Sequence, residues 1–443
     1  MRLLSIARKY PSAAVGSFII LILVGLALYA PFALPYSEAI RLWRGGESVW
    51  KESPKNARPI WYNSLLGRNL PETLVINSAN DEGLKERTVL TETMTDVIFT
   101  FDFDYTYDAF PQELLIFFDA EFEEKRPLVE MTWHTPDGRE IEFDDLTVQG
   151  SETYYAAQDE KIAREFNEQD AIHVLFADPT IEEPTPLKGR YTLTAAGLVF
   201  EQDADIDAEM ILYGQVYGFA GTDHKRRDLT VALLWGAPIA LALGLIVTVV
   251  SGGASLVIAA VGVWFGGWVD DLIQRVTEVN MILPGLPILI MIATFYSRSI
   301  FVMFGVLTVL GIFGAGIKSS RALFLQIKES PFIEAAQTYG AGSMRIILRY
   351  MIPRIIPTLI PGLVGAIPGI VFTEATLSIL GLGDPLLPTW GKILSDARFN
   401  GALFQGQYYW VLQPSILLML TGLGFAMVGF ALDRVFNPRL RDV

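Results

Sequence analysis

Two hydrophobic rhythms divide this chain. Near its start, residues 12–34 form an unbroken apolar run from Ser12 through Ile19, Leu21 and Leu26 to Leu34. Five more apolar stretches occupy the second half, over 231–264, 276–297, 299–318, 354–381 and 410–432. Each approaches the ~20 residues that a helix needs to cross a bilayer. The pattern therefore predicts six membrane-spanning helices. The 231–264 stretch is long enough to tilt or to extend past the bilayer. Between the first two, the period changes from helical to two. Phe99, Phe101, Phe103 and Tyr105 alternate with Thr100, Asp102 and Asp104, as in a strand with one face buried. Leu128–His134 and Glu140–Val148 flank Pro136-Asp137-Gly138, where proline sets one dihedral and glycine accepts a positive φ. Leu114–Phe118, Ile172–Phe176 and Tyr191–Phe200 read as further strands. Short strands at this spacing predict a β-sandwich, and about 190 residues can bury a sizeable core.

The expected organisation is thus an N-terminal tail and first helix over 1–35, a β-rich domain over 36–229, and a five-helix membrane core over 230–443. The fold class is an all-α membrane protein of six helices, with a sandwich-like domain inserted between the first two.

Charge sharpens this division. The chain is 51% hydrophobic and 19% charged, yet residues 36–229 carry a net −21 while the remainder carries +6. A water-facing acidic segment sits inside a weakly basic, membrane-like chain. Nucleic acid is excluded as a partner, because phosphate binding needs clustered bases. There is no cysteine, which removes disulfides, thiolate metal sites and cysteine nucleophiles. His134, His173 and His224 lie far apart without ligand spacing. A cleaved signal peptide is disfavoured for 12–34, since the run is long and Pro31 follows the best small-residue site, Ala30.

Six spans put both termini on one side. The inner segments would then collect Arg275, Lys318, Arg321, Lys328, Arg345, Arg349 and Arg354 beside Arg2, Arg8 and Lys9 at the start and Arg434, Arg439 and Arg441 at the end; the short outer connections hold Arg298, Lys392 and Arg398. The positive-inside bias places both termini in the cytoplasm and 36–229 outside.

Candidate chemistry is sparse. Asp203, Asp205 and Asp207 have the alternation of a calcium loop, but Ala208 and Gly214 stand where that loop needs glycine and glutamate. Glu123-Glu124 and Asp144-Asp145 are neighbours, which in a strand point to opposite faces and cannot converge on one substrate atom. No phosphate-binding loop is present: Leu386 and Ile393 occupy positions around Gly391-Lys392 where that motif needs glycine and a hydroxyl residue.

The most informative stretch lies within 319–353, between the fourth and fifth predicted spans. Ser330 can cap a helix that Pro331 begins, and Gly340 suits its left-handed end. Ser343 can cap a second helix, Met344–Met351, ending before Pro353. Small residues Ala335 and Ala336 on the first helix would let it lie close in a partner's groove. Glu334-Ala335-Ala336, then Gly340-Ala341, then Ile352-Pro353 and Pro357, resembles the "EAA" loop of ABC-importer permeases. Other segments resemble the dipeptide/oligopeptide branch of that family, in its C-type subunit. Gly221-Thr222-Asp223 with Arg227-Asp228 is similar to the family's "GTD…GRD" stretch, with Arg226 where the family has glycine. Phe265-Gly266-Gly267-Trp268-Val269-Asp270, Glu374 through Gly383, Pro388-Thr389-Trp390-Gly391 and Asn437-Pro438-Arg439-Leu440 resemble further family stretches. The resemblance covers roughly 215–443 and the first helix; the outer insert lies beyond it.

The resemblance implies an ABC-importer permease carrying dipeptides or oligopeptides, or else oligosaccharides or nickel. It implies that Glu334, Ala335, Ala336, Gly340 and Ala341 dock into an ATPase subunit. It implies as partners two ATPase subunits, a second homologous permease and an extracytoplasmic substrate-binding protein, all served by a prokaryotic cell membrane. This chain would hold no cofactor; ATP and magnesium would sit on the ATPases. Glu374 is a candidate for the translocation path or gate, because an ionisable group in a span usually faces the bundle interior or water. Thr373, Glu278 and Asn280 are weaker candidates. The competing class is a membrane-anchored sensor with an outer ligand-binding domain, which leaves five C-terminal spans unexplained. The outer domain is expected to dock the binding protein or the partner permease.

Overall fold

The computed structural model describes residues 11–436 except 47, 81, 92, 93, 167, 168 and 182. The tail containing Arg2, Arg8 and Lys9, and the Asn437–Leu440 stretch, lie outside the described residues. The described chain forms two compact units, Gly45–Thr230 and the remainder.

Among its described residues, the Gly45–Thr230 unit contains ten strands. They are β1 (Leu74–Asn77), β2 (Lys85–Thr91), β3 (Met94–Tyr105), β4 (Glu113–Glu121), β5 (Leu128–His134), β6 (Glu140–Glu142), β7 (Leu146–Thr147), β8 (Ser151–Tyr155), β9 (Gly189–Val199) and β10 (Asp205–Tyr213). Two antiparallel sheets result, one ordered β1-β10-β4-β8 and the other β2-β3-β9-β5-β6, with β7 on β5. The alternation read from β3 is realised: Val97, Phe99 and Phe101 are buried while Thr100 and Asp102 face water. Their apolar faces meet Leu114, Ile116 and Phe118 of β4 and Met210 and Leu212 of β10 in one core. Trp133, fully buried, fills its centre and donates its indole N–H to the Leu175 carbonyl at 3.1 Å. Gly138 takes φ +87° in the predicted turn.

Two strand expectations need correction. Residues 171–176 form a short helix, Ala171–Phe176, whose cap Asp170 accepts the Ile172 N–H. Its Ile172, Val174, Leu175 and Phe176 are all buried on several sides of the helix, so the apolar run carries no helical period in the sequence. Glu140–Val148 is interrupted between β6 and β7, where Asp144 instead accepts the Lys161 N–H. Asp205 and Asp207, whose spacing mimics a calcium loop, share the Lys85 ammonium at 2.9 and 2.8 Å.

Glu201 organises the turn after β4. Its carboxylate accepts the backbone N–H groups of Glu123, Glu124 and Lys125 at 2.6, 2.7 and 2.5 Å. Those bonds, the Glu123 N–H first, hold it below the usual carboxylate range. A depressed carboxyl contributes stability above its unfolded pKa and loses it as pH falls through the folded value. Glu201→Gln is therefore expected to lower the amide protection factors at 123–125 at neutral pH, and acidification of the wild type through the folded pKa should lower them too, each taken relative to intrinsic exchange at the same pH. Unchanged protection in the variant would refute the assignment.

The other unit is helical: α1 (Pro11–Ala33), α2 (Tyr36–Arg44), α3 (Thr230–Phe265), α4 (Gly267–Ile282), α5 (Gly285–Phe295), α6 (Ile300–Ile312), α7 (Ala315–Lys328), α8 (Pro331–Thr338), α9 (Ser343–Ile379), α10 (Trp390–Phe399) and α11 (Tyr408–Phe436). Among the described residues, five helices are long and apolar enough to cross a membrane: α1, α3, α6–α7 taken together, α9 and α11. The expected straight span over 276–297 is instead the pair α4 and α5, bent by 76°. Pro284 disfavours helical geometry at Leu283. The 11 residues of α5 extend only about 16 Å, roughly half a hydrocarbon core. The count reaches six only if this pair is one broken span.

Close approach of α1 and α11 requires glycine. A Cβ on Gly16 would lie 2.7 Å from the Met427 Cβ, and one on Gly424 2.9 Å from Ile19 Cγ2. Small residues let membrane helices pack backbone to backbone where no hydrophobic force distinguishes helix from lipid. In α9 the expected break before Pro353 does not occur. A π-turn over Ile347–Met351 runs directly into Ile352–Ile379. Pro353 has no N–H for the carbonyl one turn back, and the extra residue of the π-turn absorbs that defect within a continuous helix. Pro357 and Pro361 follow at intervals of four, so each faces the carbonyl of the proline before it.

Candidate coupling loop and its supports

The loop between α7 and α9 begins where α7 ends at Lys328. The Ser330 carbonyl accepts the Ile333 N–H at 2.9 Å as α8 starts at Pro331. The Ser330 hydroxyl does not cap α8; it donates back to the Gln326 carbonyl at 3.3 Å. At the other end the Ala341 N–H reaches the Ala336 carbonyl at 3.0 Å and the Gly340 N–H reaches Gln337 at 2.8 Å. This is a Schellman ending, and Gly340 supplies its left-handed residue at φ +76°. Gly342, not Ser343, occupies the cap position of the next helix.

Burial sorts the faces of α8. Ile333 and Ala336 turn inward, and Ile333 packs with Phe324, Ile346, Ile347 and Met351. Ala336 is thus not a surface residue, contrary to expectation; the 3.6-residue period puts it on the Ile333 side. Glu334 and Ala335 face outward, joined by Phe332 and by Tyr339, which is 91% exposed. The motif does not point to Tyr339. A bulky aromatic immediately before a helix-ending glycine is its only signal in the sequence.

Polar links tie this loop's base to α3 and α4. The Lys328 ammonium donates to the carbonyls of Val263 and Trp264 at 2.8 and 3.2 Å, satisfying the C-terminal end of α3. Arg321 holds Asp270 in a fork, Nε to Oδ1 at 2.9 Å and the terminal nitrogen to Oδ2 at 2.5 Å. Lys318 pairs with Glu278 at 3.1 Å. Asn280 donates its amide to the Leu310 and Phe313 carbonyls at 2.9 and 3.0 Å, across the break between α6 and α7.

At the other end of α9, the Glu374 carboxylate accepts the Ser378 and Thr389 hydroxyls, each at 2.8 Å. A Cβ on Gly391 would come within 2.7 Å of it. Thr389 also caps α10 by accepting the Lys392 N–H at 3.0 Å. The neighbouring Thr373 bonds the Gly369 carbonyl of its own helix at 2.7 Å. Glu374 and Thr373 are thus adjacent on α9, whereas Asn280 belongs with the supports of the loop.

Sequence similarity converges on the helical unit. Residues 252–442 match the family model for the binding-protein-dependent transport system inner membrane component. That stretch resembles the permease subunits of ABC importers of oligopeptides and dipeptides. Among known proteins it is similar to the oligopeptide transport system permease protein OppC of Haemophilus influenzae, 29% identical over 227 residues, which are 51% of this chain and 71% of that protein. It is similar to the dipeptide transport system permease protein DppC of Bacillus subtilis, 28% identical over 50% of this chain and 68% of that protein. It also resembles the peptidoglycan transport system permease protein YejE of Agrobacterium fabrum, 30% identical over 49% of this chain and 56% of the relative.

Proposed function

We propose that this chain forms half of the translocation path of an ATP-driven importer for peptides, and that α8 couples it to an ATPase subunit. The observation that carries this reading is the exposed face of Glu334, Ala335 and Tyr339 on a short helix braced from behind, inside the region that matches the permease family. On this reading 319–353 and both termini are cytoplasmic, and the 36–229 domain stands outside. Two ATPases bind ATP and magnesium, a second homologous permease completes the path, and a binding protein delivers cargo. Glu334, Ala335, Gly340 and Ala341 form or shape the docking surface, while Ala336 supports it from within.

Transport needs a two-state element biased by nucleotide. The α8 contacts would move with the ATPases, and the links through Lys328 and Arg321 would carry that motion to α3 and α4. Glu374 contributes to the gate through its bonds to Ser378 and Thr389, with Thr373 beside it on the same helix.

The test is to purify the chain with its companion permease and ATPases, reconstitute it in lipid, and measure ATP hydrolysis with a loaded peptide-binding protein. Stimulation by the loaded binding protein is the expected result. A complex that recruits no ATPase would refute the reading; stimulation by an oligosaccharide or nickel instead of a peptide would reassign the cargo.

A further inference from the structure

The β-rich unit is polarised along its strands. At one end of β4 and β10, and in the adjoining turns, stand Glu121, Glu123, Glu124, Glu201, Asp203 and Asp205. The opposite end, where Glu113 pairs with Tyr213, lies about 27 Å away for eight residues of strand. There the chain is different in kind. Between Glu52 and Glu72 the sequence has no acid and three bases, Lys55, Arg58 and Arg68, in a domain of net −21.

Those residues carry an exposed apolar group. Trp61, Leu65 and Leu66 belong to the short helix Trp61–Leu66, Ile60 caps it, and Phe219 lies beside Trp61; all five are exposed. Phe219 is 73% and Leu65 70% exposed. The arrangement is tied down. The Trp61 indole N–H donates to the Phe219 carbonyl at 2.8 Å, the Ile60 N–H to Gly218 at 3.0 Å and the Arg58 N–H to Gln215 at 2.9 Å.

The same segment leads into the membrane. Leu229, one residue before α3 begins, donates its N–H to the Gly221 carbonyl at 3.0 Å, and Gly221 is two residues from Phe219. Thr222 in turn bonds Ala57 at 2.9 Å. Arg226 fixes this fold-back. It accepts φ +65°, donates to the Ser53 carbonyl at 2.9 Å, pairs with Glu113 at 3.3 Å and lies 4.1 Å over the Tyr213 ring. The apolar group is therefore tied, within its own unit, to the backbone that runs directly into α3.

We infer that Ile60, Trp61, Leu65, Leu66 and Phe219 are a membrane-interface anchor: their side chains enter the headgroup–acyl boundary of the phospholipid leaflet, and Lys55, Arg58 and Arg68 meet its phosphates. Trp with leucines at one level and flanking bases is the chemistry that this boundary selects. The acidic end is thereby held in water. The inference rests on reading α3 as a span.

The absence of cysteine allows a direct test with single-cysteine spin labels on the full chain in phospholipid vesicles. Leu65→Cys and Phe219→Cys, with Leu66→Cys as a second position on the helix, are compared with Glu123→Cys at the acidic end and with Ile246→Cys on the exposed face of α3. The ratio of oxygen to nickel-chelate accessibility is expected to be at least ~3-fold higher at 65 and 219 than at 123. Labels at 65 and 219 that read as water, with 246 reading as lipid, would overturn the anchor alone. Labels at 65 and 219 shielded from both relaxants would overturn it in favour of a protein contact. A label at 246 reading as water would overturn the span and the anchor together.

Discussion

If α8 couples transport to an ATPase as proposed, Gly340→Val is expected to reduce ATP-driven cargo uptake to below a tenth of wild type, with the chain still inserted in the membrane. A β-branched residue at φ +76° costs on the order of 1–3 kcal/mol. The cheapest relief is to unwind the Schellman ending, which releases the Ala341–Ala336 and Gly340–Gln337 bonds and frees the end of α8. The buried Ile333 contact keeps the helix start in place, so the damage falls on the outward face near Tyr339. Gly342→Ala is the matched control. Gly342 has φ −69° and open space around an added Cβ, so uptake should stay within about twofold of wild type. Uptake and ATPase co-purification check both variants. Wild-type uptake from Gly340→Val would remove the geometric basis for α8 as the coupling element.

Arg321→Ala should be nearly as damaging by a different route. Its guanidinium forks onto Asp270, whose side chain is only 13% exposed. Deleting the arginine leaves a mostly buried carboxylate unpaired, at a cost of about 1–3 kcal/mol. It also uncouples α7 from α4. The expected outcome is at least a ~10-fold loss of uptake, with ATPase subunits still bound because the α8 face is intact. Arg321→Lys should recover only part, since an ammonium cannot make the planar two-point contact. The exchange Asp270→Arg with Arg321→Asp should recover more uptake than either single change. Uptake against ATP hydrolysis, measured together, separates lost coupling from lost assembly. An Arg321→Ala chain with normal uptake would show that α4 takes no part.

Much of this fold is legible in the amino-acid sequence, and the reasons differ by region. The apolar runs of α1, α3, α9 and α11 are long enough that no soluble element competes with a span. The strands around β3 and β5 are legible because one face is buried and the other wet. The elements that escape such reading share a cause. Ala171–Phe176 is buried on several sides, so its apolar run holds no period, and its partners in the core decide its conformation. The run at 276–297 has the composition of a span, but Pro284 and the polar face of α4 divide it.

The site is legible in the same uneven way. Pro331, Gly340 and the spacing between them specify a short capped helix through local dihedral preference alone. Which of Ala335 and Ala336 faces a partner depends on the packing of Ile333 against α9, which is non-local. Asn280 reads as a residue of the path because its polarity is anomalous in an apolar segment; its amide instead closes two carbonyls left open where α6 ends.

By itself, then, the sequence determined what depends on neighbours along the chain: apolar length, strand alternation, turn dihedrals, the charge contrast between 36–229 and the rest, and the absence of cysteine. Tertiary structure alone decided what depends on partners far apart in the chain. It brought Arg321 to Asp270, Lys328 to the end of α3, and Thr389 to Glu374. It also gave Arg226 a left-handed backbone that local preference opposes, offset by bonds to Ser53 and Glu113 that lie more than a hundred residues away. Local preferences act over a few bonds and are written in adjacent letters, whereas hydrogen-bond partners are chosen by proximity that only the folded chain creates.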